Sequence, residues 1–168
     1  VRMRESLIMD AIYRYSGAFE CSVVDANAEE PDSSEIIMEG GDIIIAREDI
    51  LIVGNGVRTT PQGIDFIVDR LCRCNPEARM NVIVQQLPSQ PESFIHLDMV
   101  FTLLDKDKCM IFKPLIMRAN QYQTVHIVIE GGKVSSIRPV AALLPALRSL
   151  GMDLKPLVCG GDDDWDQE

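Results

Sequence analysis

At 168 residues, 46% hydrophobic and 25% charged, the chain is long enough for one domain with a real core. Its net charge of −10, with no basic run, excludes nucleic acid and anionic membrane as main partners, since both need a cationic footprint. No run approaches the ~18 apolar residues of a membrane span, and no charged-then-apolar leader precedes a small-residue cleavage site, so a cytoplasmic protein is expected.

The opening segment RESLIMDAIYRY repeats Ile8, Ile12 and Tyr15 at three- and four-residue steps, which predicts an amphipathic helix over 3–15. A polar, proline-bearing loop, NAEEPDSSE, follows. Two apolar runs, Ile43–Ile45 and Ile50–Val53, then read as a hairpin. Thr60 ahead of Pro61 is a helix start: the hydroxyl can cap an orphan amide, and proline lacks the amide that would be unpaired. Ile64, Ile67, Val68 and Leu71 supply the buried stripe of that helix, and NVIVQQLP a closing strand.

The pattern then recurs. MVFTLLD and CMIFKPLI predict a second hairpin, VHIVIE and KVSSIRP bracket a Gly131-Gly132 turn, and Leu143, Leu144, Leu147 and Leu150 form a helical stripe ended by Gly151. Pro145 is expected in the first turn of this helix, because an interior proline costs about 3 kcal/mol. LKPLVC is the last strand. The chain thus reads as an α/β body of two hairpin-helix-strand units, 36–86 and 97–158, behind the helix at 3–15. Such units around a common axis build a propeller-like body, of which two would be part; a mixed-sheet sandwich is the plainer alternative. Val1 at the start and an acidic run without a closing element at the finish give the expectation of a single partial domain over 1–168, incomplete at both ends.

Three places could carry chemistry. Glu39-Gly40-Gly41-Asp42 sets two carboxylates three residues apart across a backbone that glycine lets bend sharply, as a solvated turn would also require. His96-Leu97-Asp98, read as a strand start, puts imidazole and carboxylate on one face, as would a strand-end histidine merely paired with its neighbour. Arg58, where a hairpin meets a helix start, and Arg2, ahead of the first helix, could each clamp a carboxylate or serve as a surface ion-pair partner. The five cysteines contain no CxxC pair and read as reduced thiols, mostly buried. DDDWD lacks the glycine and closing glutamate of a calcium loop, and His126 reads as a strand residue without catalytic duty.

Taken together, MEGGD, the arginine of GNGVRTT and HLDMVFTLLDKD resemble the arginine deiminase family of guanidine-modifying, pentein-type enzymes, with the likeness extending to VRMRESLIMDAIYRY and covering most of residues 1–116. The resemblance implies a pseudo-symmetric five-bladed α/β propeller with an axial site. It implies hydrolysis of arginine to citrulline and ammonia through a cysteine thiouronium, without metal or organic cofactor. On that template Glu39 and His96 are the acid–base pair, Asp98 grips guanidinium nitrogens, and Arg58 and Arg2 hold the substrate carboxylate. The family's further guanidinium-binding aspartate, in a Phe-x-Arg-Asp-like segment, and its nucleophilic cysteine, in a glycine-rich C-terminal loop, have no counterpart in this sequence, and Val57 stands where many members carry an acid. A fragment of a guanidine hydrolase, inactive by itself and prone to self-association, is therefore expected. An amidinotransferase or methylarginine hydrolase of the same family, or a non-catalytic arginine-binding module, is the alternative.

Overall fold

The computed structural model describes residues 3–20, 23 and 35–159. Arg2, most of the polar loop at 27–35 and the acidic run at 162–166 lie outside the described residues.

Helix α1 spans Met3–Tyr15. The helix follows the periodicity, but its apolar stripe is not covered: Ile8 is 60% and Tyr15 81% exposed. Periodicity predicted the conformation and, for the described part of the chain, not the burial.

Strands β1 (Ile43–Arg47) and β2 (Ile50–Asn55) form the first hairpin. Helix α2 (Pro61–Cys74) starts where Thr60 Oγ1 accepts the Gly63 N–H at 3.2 Å, with Pro61 in its first turn. Strand β3 (Met80–Gln86) returns parallel to β2. The two central strands are buried on both faces, and strict alternation sorts their side chains. Leu51, Val53, Val82 and Val84 pack with Ile64 and Val68 of α2, while Ile50, Ile52 and Ile83 point into a second core on the opposite face.

That second core is closed by the other half of the chain. Strands β4 (Phe101–Asp105) and β5 (Lys108–Phe112) make a hairpin whose inward residues Phe101, Cys109 and Ile111 are buried. CMIFKPLI does not continue as a strand: Lys113–Ile116 is a short helix, α3. Pro114 explains the switch, since β5 runs between two neighbours and a proline there has no ladder donor, whereas a first helical turn needs none. Strands β6 (Thr124–Glu130) and β7 (Lys133–Val140) turn through Gly131 and Gly132 at φ +63° and +69°, the two positive values a two-residue hairpin loop requires. Helix α4 (Leu143–Ser149) holds Pro145 in its first turn and ends in a left-handed Gly151, where the Met152 and Gly151 amides donate to the Leu147 and Arg148 carbonyls. Strand β8 (Lys155–Cys159) pairs parallel with β5.

The result is a mixed α/β fold with a five-stranded sheet, β1-β2-β3-β6-β7, and a three-stranded sheet, β4-β5-β8. In both, an antiparallel hairpin is joined by a later strand parallel to its second member. The β6-β7 hairpin interrupts the second of these arrangements and attaches to the first sheet through β3. No helix among the described residues is long and apolar enough to cross a membrane.

Candidate functional site

The segment before β1 and the segment before β4 meet in space. Gly40–Asp42 forms one 3-10 turn behind Glu39, and Leu97–Met99 another behind His96. Sequence reasoning had His96 and Asp98 at a strand start, sharing a face by alternation; the strand begins only at Phe101, and it is the 3-10 turn that presents them.

The two turns bring together two groups 57 positions apart. His96 Nε2 donates to Glu39 Oε2 at 2.7 Å, in a spot where both side chains are only partly covered. This bond is the main reason the Glu39 carboxyl lies below its ordinary pKa, with the Arg58 charge adding to it against a smaller desolvation penalty. Arg58 Nη1 stands 3.4 Å from Glu39 Oε1, on the exposed rim.

Asp98 lies beside this pair. A Cβ on Gly41 would sit 3.1 Å from Asp98 Oδ2 and 3.1 Å from His96 Cγ, so imidazole and carboxylate both lean on the space Gly41 leaves. Neither Gly40 nor Gly41 has a positive φ. The expected reason for the two glycines, a bend only glycine can make, is therefore replaced by close approach at Gly41, while Gly40 faces open space. Arg2 is outside the described residues, so the structure brings together Glu39, His96, Asp98 and Arg58 of the five residues expected from sequence.

Behind the surface pair lies the second carboxylate of the Glu39–Asp42 turn, to which sequence reasoning gave no role of its own. Asp42 is fully buried, and its carboxylate accepts from the Thr59 hydroxyl at 2.7 Å and the Leu97 N–H at 2.9 Å. Burial raises its carboxyl pKa despite these two donors. Thr59, also buried, accepts the Glu39 N–H at 3.2 Å. A signal was present in Gly54, alone inside the apolar run ILIVGN: a lone strand glycine marks close approach, and a Cβ there would be 2.6 Å from Asp42 Oδ1.

A cavity of about 420 Å³ opens next to Asp98, lined also by Phe94, Met99, Met110 and, at the end of β8, the exposed Cys159. Among the described residues no group of three or more His, Cys, Asp or Glu could hold a metal ion. The arrangement offers a carboxylate edge suited to a planar cation, next to a hydrogen-bonded imidazole and carboxylate able to move a proton.

Comparison with known proteins fits this chemistry. The chain is 31% identical over 162 residues to the arginine deiminase of Mycoplasma capricolum and 30% identical over 166 residues to that of Bacillus cereus, in each case across 96% of this chain and 39% of the relative. It is 29% identical over 132 residues to the arginine deiminase of Staphylococcus haemolyticus, covering 79% of this chain and 31% of the relative. The chain thus spans about 39% of the length of the first two of these relatives. The family model for arginine deiminase matches residues 1–168 from end to end, and the chain belongs to the arginine deiminase family.

Proposed function

We propose that the full-length protein carrying this chain hydrolyses arginine to citrulline and ammonia, and that the chain supplies the acid–base pair and part of the substrate grip. The observation that carries the reading is the 2.7 Å bond between His96 and Glu39 with the Asp98 carboxylate alongside, in a chain of this family.

In this reading the Asp98 oxygens accept from guanidinium N–H groups, holding the flat cation with its carbon open to attack. A cysteine thiolate outside residues 1–168 adds to that carbon. His96, hydrogen-bonded to Glu39, delivers a proton to the departing nitrogen, and ammonia leaves a thiouronium on the cysteine. Water then adds, losing its proton to the same pair, and the carbon–sulfur bond breaks to release citrulline and restore the thiolate. Arg58 exchanges its exposed contact with Glu39 for the substrate carboxylate, with Arg2 as the second clamp. Residues 1–168 form a partial catalytic domain, with units 36–86 and 97–158 as parts of a five-bladed propeller. The protein works in the cytoplasm on a small-molecule substrate, independently of nucleic acid and membrane.

The test is the intact mass of the full-length protein after arginine and rapid acid quench, with citrulline measured in parallel. The expected result is a thiouronium adduct on a cysteine outside this chain, citrulline in solution, and no citrulline from the isolated 168-residue chain. Arginine bound without adduct or product would replace the hydrolase with a recognition module. An adduct on Cys159 would overturn the placement of the nucleophile.

A further inference from the structure

The Glu39–His96 pair joins segments 57 residues apart, and one part-buried hydrogen bond between two side chains is weak support for holding two reacting groups in register. The backbone beneath is tied more firmly. The Glu39 amide donates to Thr59 Oγ1, the Thr59 hydroxyl donates to Asp42 Oδ2, and Asp42 Oδ1 takes the Leu97 amide, next in the chain to His96. The relay therefore begins at the peptide unit of one reacting residue and ends at that of the other.

We infer that Asp42 and Thr59 are positioning residues that set the Glu39–His96 separation from within the core, and this rests on the acid–base reading proposed above. Both are fully buried, so neither can touch a dissolved substrate. Their effect passes through the two residues they hold.

The choice of side chain supports the assignment. A carboxylate sealed from water carries a desolvation cost that a neutral residue avoids, as the raised Asp42 pKa reflects. What the carboxylate supplies is two acceptor oxygens in a fixed fork, one for each side of the site. An asparagine has one oxygen and would turn its NH2 toward either the Thr59 hydroxyl or the Leu97 N–H. Gly54 leaves the room for this fork, since a Cβ would meet Asp42 Oδ1 at 2.6 Å and Leu97 Cβ at 3.0 Å.

The experiment is steady-state kinetics on arginine with the full-length protein, alongside thermal melts, for Thr59→Val, Thr59→Ser and Asp42→Asn, with Glu39→Gln and His96→Ala as references. Thr59→Val keeps the volume and deletes both bonds of the hydroxyl. A displacement of about 1 Å at a reacting pair lowers kcat about 10- to 100-fold. KM stays within ~3-fold, because the gripping side chains of Asp98 and Arg58 are themselves unaltered, and Thr59→Ser restores kcat to within ~3-fold of wild type. Loss of folded protein would also lower the apparent kcat at unchanged KM, so the rates are normalised to the folded fraction that the melts report. If Thr59→Val does not fold, Asp42→Asn is the measured variant, and its kcat falls with KM held. Wild-type kcat in the folded variant, or a Thr59→Ser protein as impaired as Thr59→Val, overturns the inference while Glu39→Gln and His96→Ala still report on the acid–base pair. Wild-type rates in those two references overturn the acid–base reading, and the inference with it.

Discussion

At the scale of single residues, the glycines around the site separate by what surrounds them. Gly40 and Gly41 look equivalent in the sequence, yet a Cβ on Gly40 would meet nothing within 4 Å and one on Gly41 would press on Asp98 and His96. Gly54 is tighter still, facing Asp42 Oδ1 and Leu87 Cδ1 at 2.6 and 2.9 Å in the buried part of β2. Overpacking of this kind costs about 1–3 kcal/mol, whereas an open surface position changes stability by no more than ~0.5 kcal/mol. Gly54→Ala in the full-length protein is thus expected to lower the urea midpoint clearly, and Gly40→Ala to leave it in place. Equal midpoints for the two variants would count against the packing around Asp42. The candidate site was legible as far as its surface: Glu39, His96, Asp98 and Arg58 announce themselves by type and order. The burial of Asp42, named there only as a turn carboxylate, and its pairing with Thr59 were not legible, because a buried carboxylate and its hydroxyl partner are written in the same letters as solvated turn residues.

At the scale of elements, the strands and helices were readable where a local rule decides them. Thr60-Pro61, the Gly131-Gly132 loop and Gly151 each fix a boundary through capping or a positive φ, and each stands where expected. Attachment of the β6-β7 hairpin to β3 was not readable, since no local feature says which sheet edge a hairpin chooses. That attachment builds a polar row across the first sheet, buried at Asn81 and His126 and exposed at Arg138. His126, on β6, donates to Asn81 of β3 at 3.0 Å, and its Nδ1 faces Arg138 of β7 at 3.4 Å. Burial, then the charges of Arg138 and Arg79, lower the His126 pKa below its ordinary value, so the folded state holds the ring neutral. The sign follows: the unfolded chain takes up the proton first as pH falls below about 6.5, so this contribution is complete above that pH and is lost toward the depressed folded pKa. Stability of the full-length protein is expected to decline on acidification through this window, and His126→Gln to flatten the slope. A slope unchanged by that substitution would place the acid sensitivity elsewhere.

At the scale of the whole molecule, much apolar surface is uncovered among the described residues. The outer face of the second sheet carries Met110 and Leu157, paired in register across β5 and β8, with Leu157 53% exposed. Ile137 on the edge strand β7 is 66% exposed, and α1 shows Leu7, Ile8, Met9, Ile12 and Tyr15. Among the described residues, each sheet also ends in two strands with one side unpaired, β1 and β7 in the first, β4 and β8 in the second. Open edges beside apolar faces are what association uses. The net charge of −10 opposes close approach only at long range, and salt screens it within about 10 Å at 0.1 M. The isolated 168-residue chain is therefore expected to self-associate, with the effect stronger at higher salt because repulsion weakens while burial of apolar surface does not. Light scattering coupled to size exclusion over a concentration series checks this. Masses above 18.7 kDa that grow with concentration and with salt fit the uncovered faces, whereas a sharp 18.7 kDa monomer at all concentrations would mean that these faces are too small or too dispersed to drive contact.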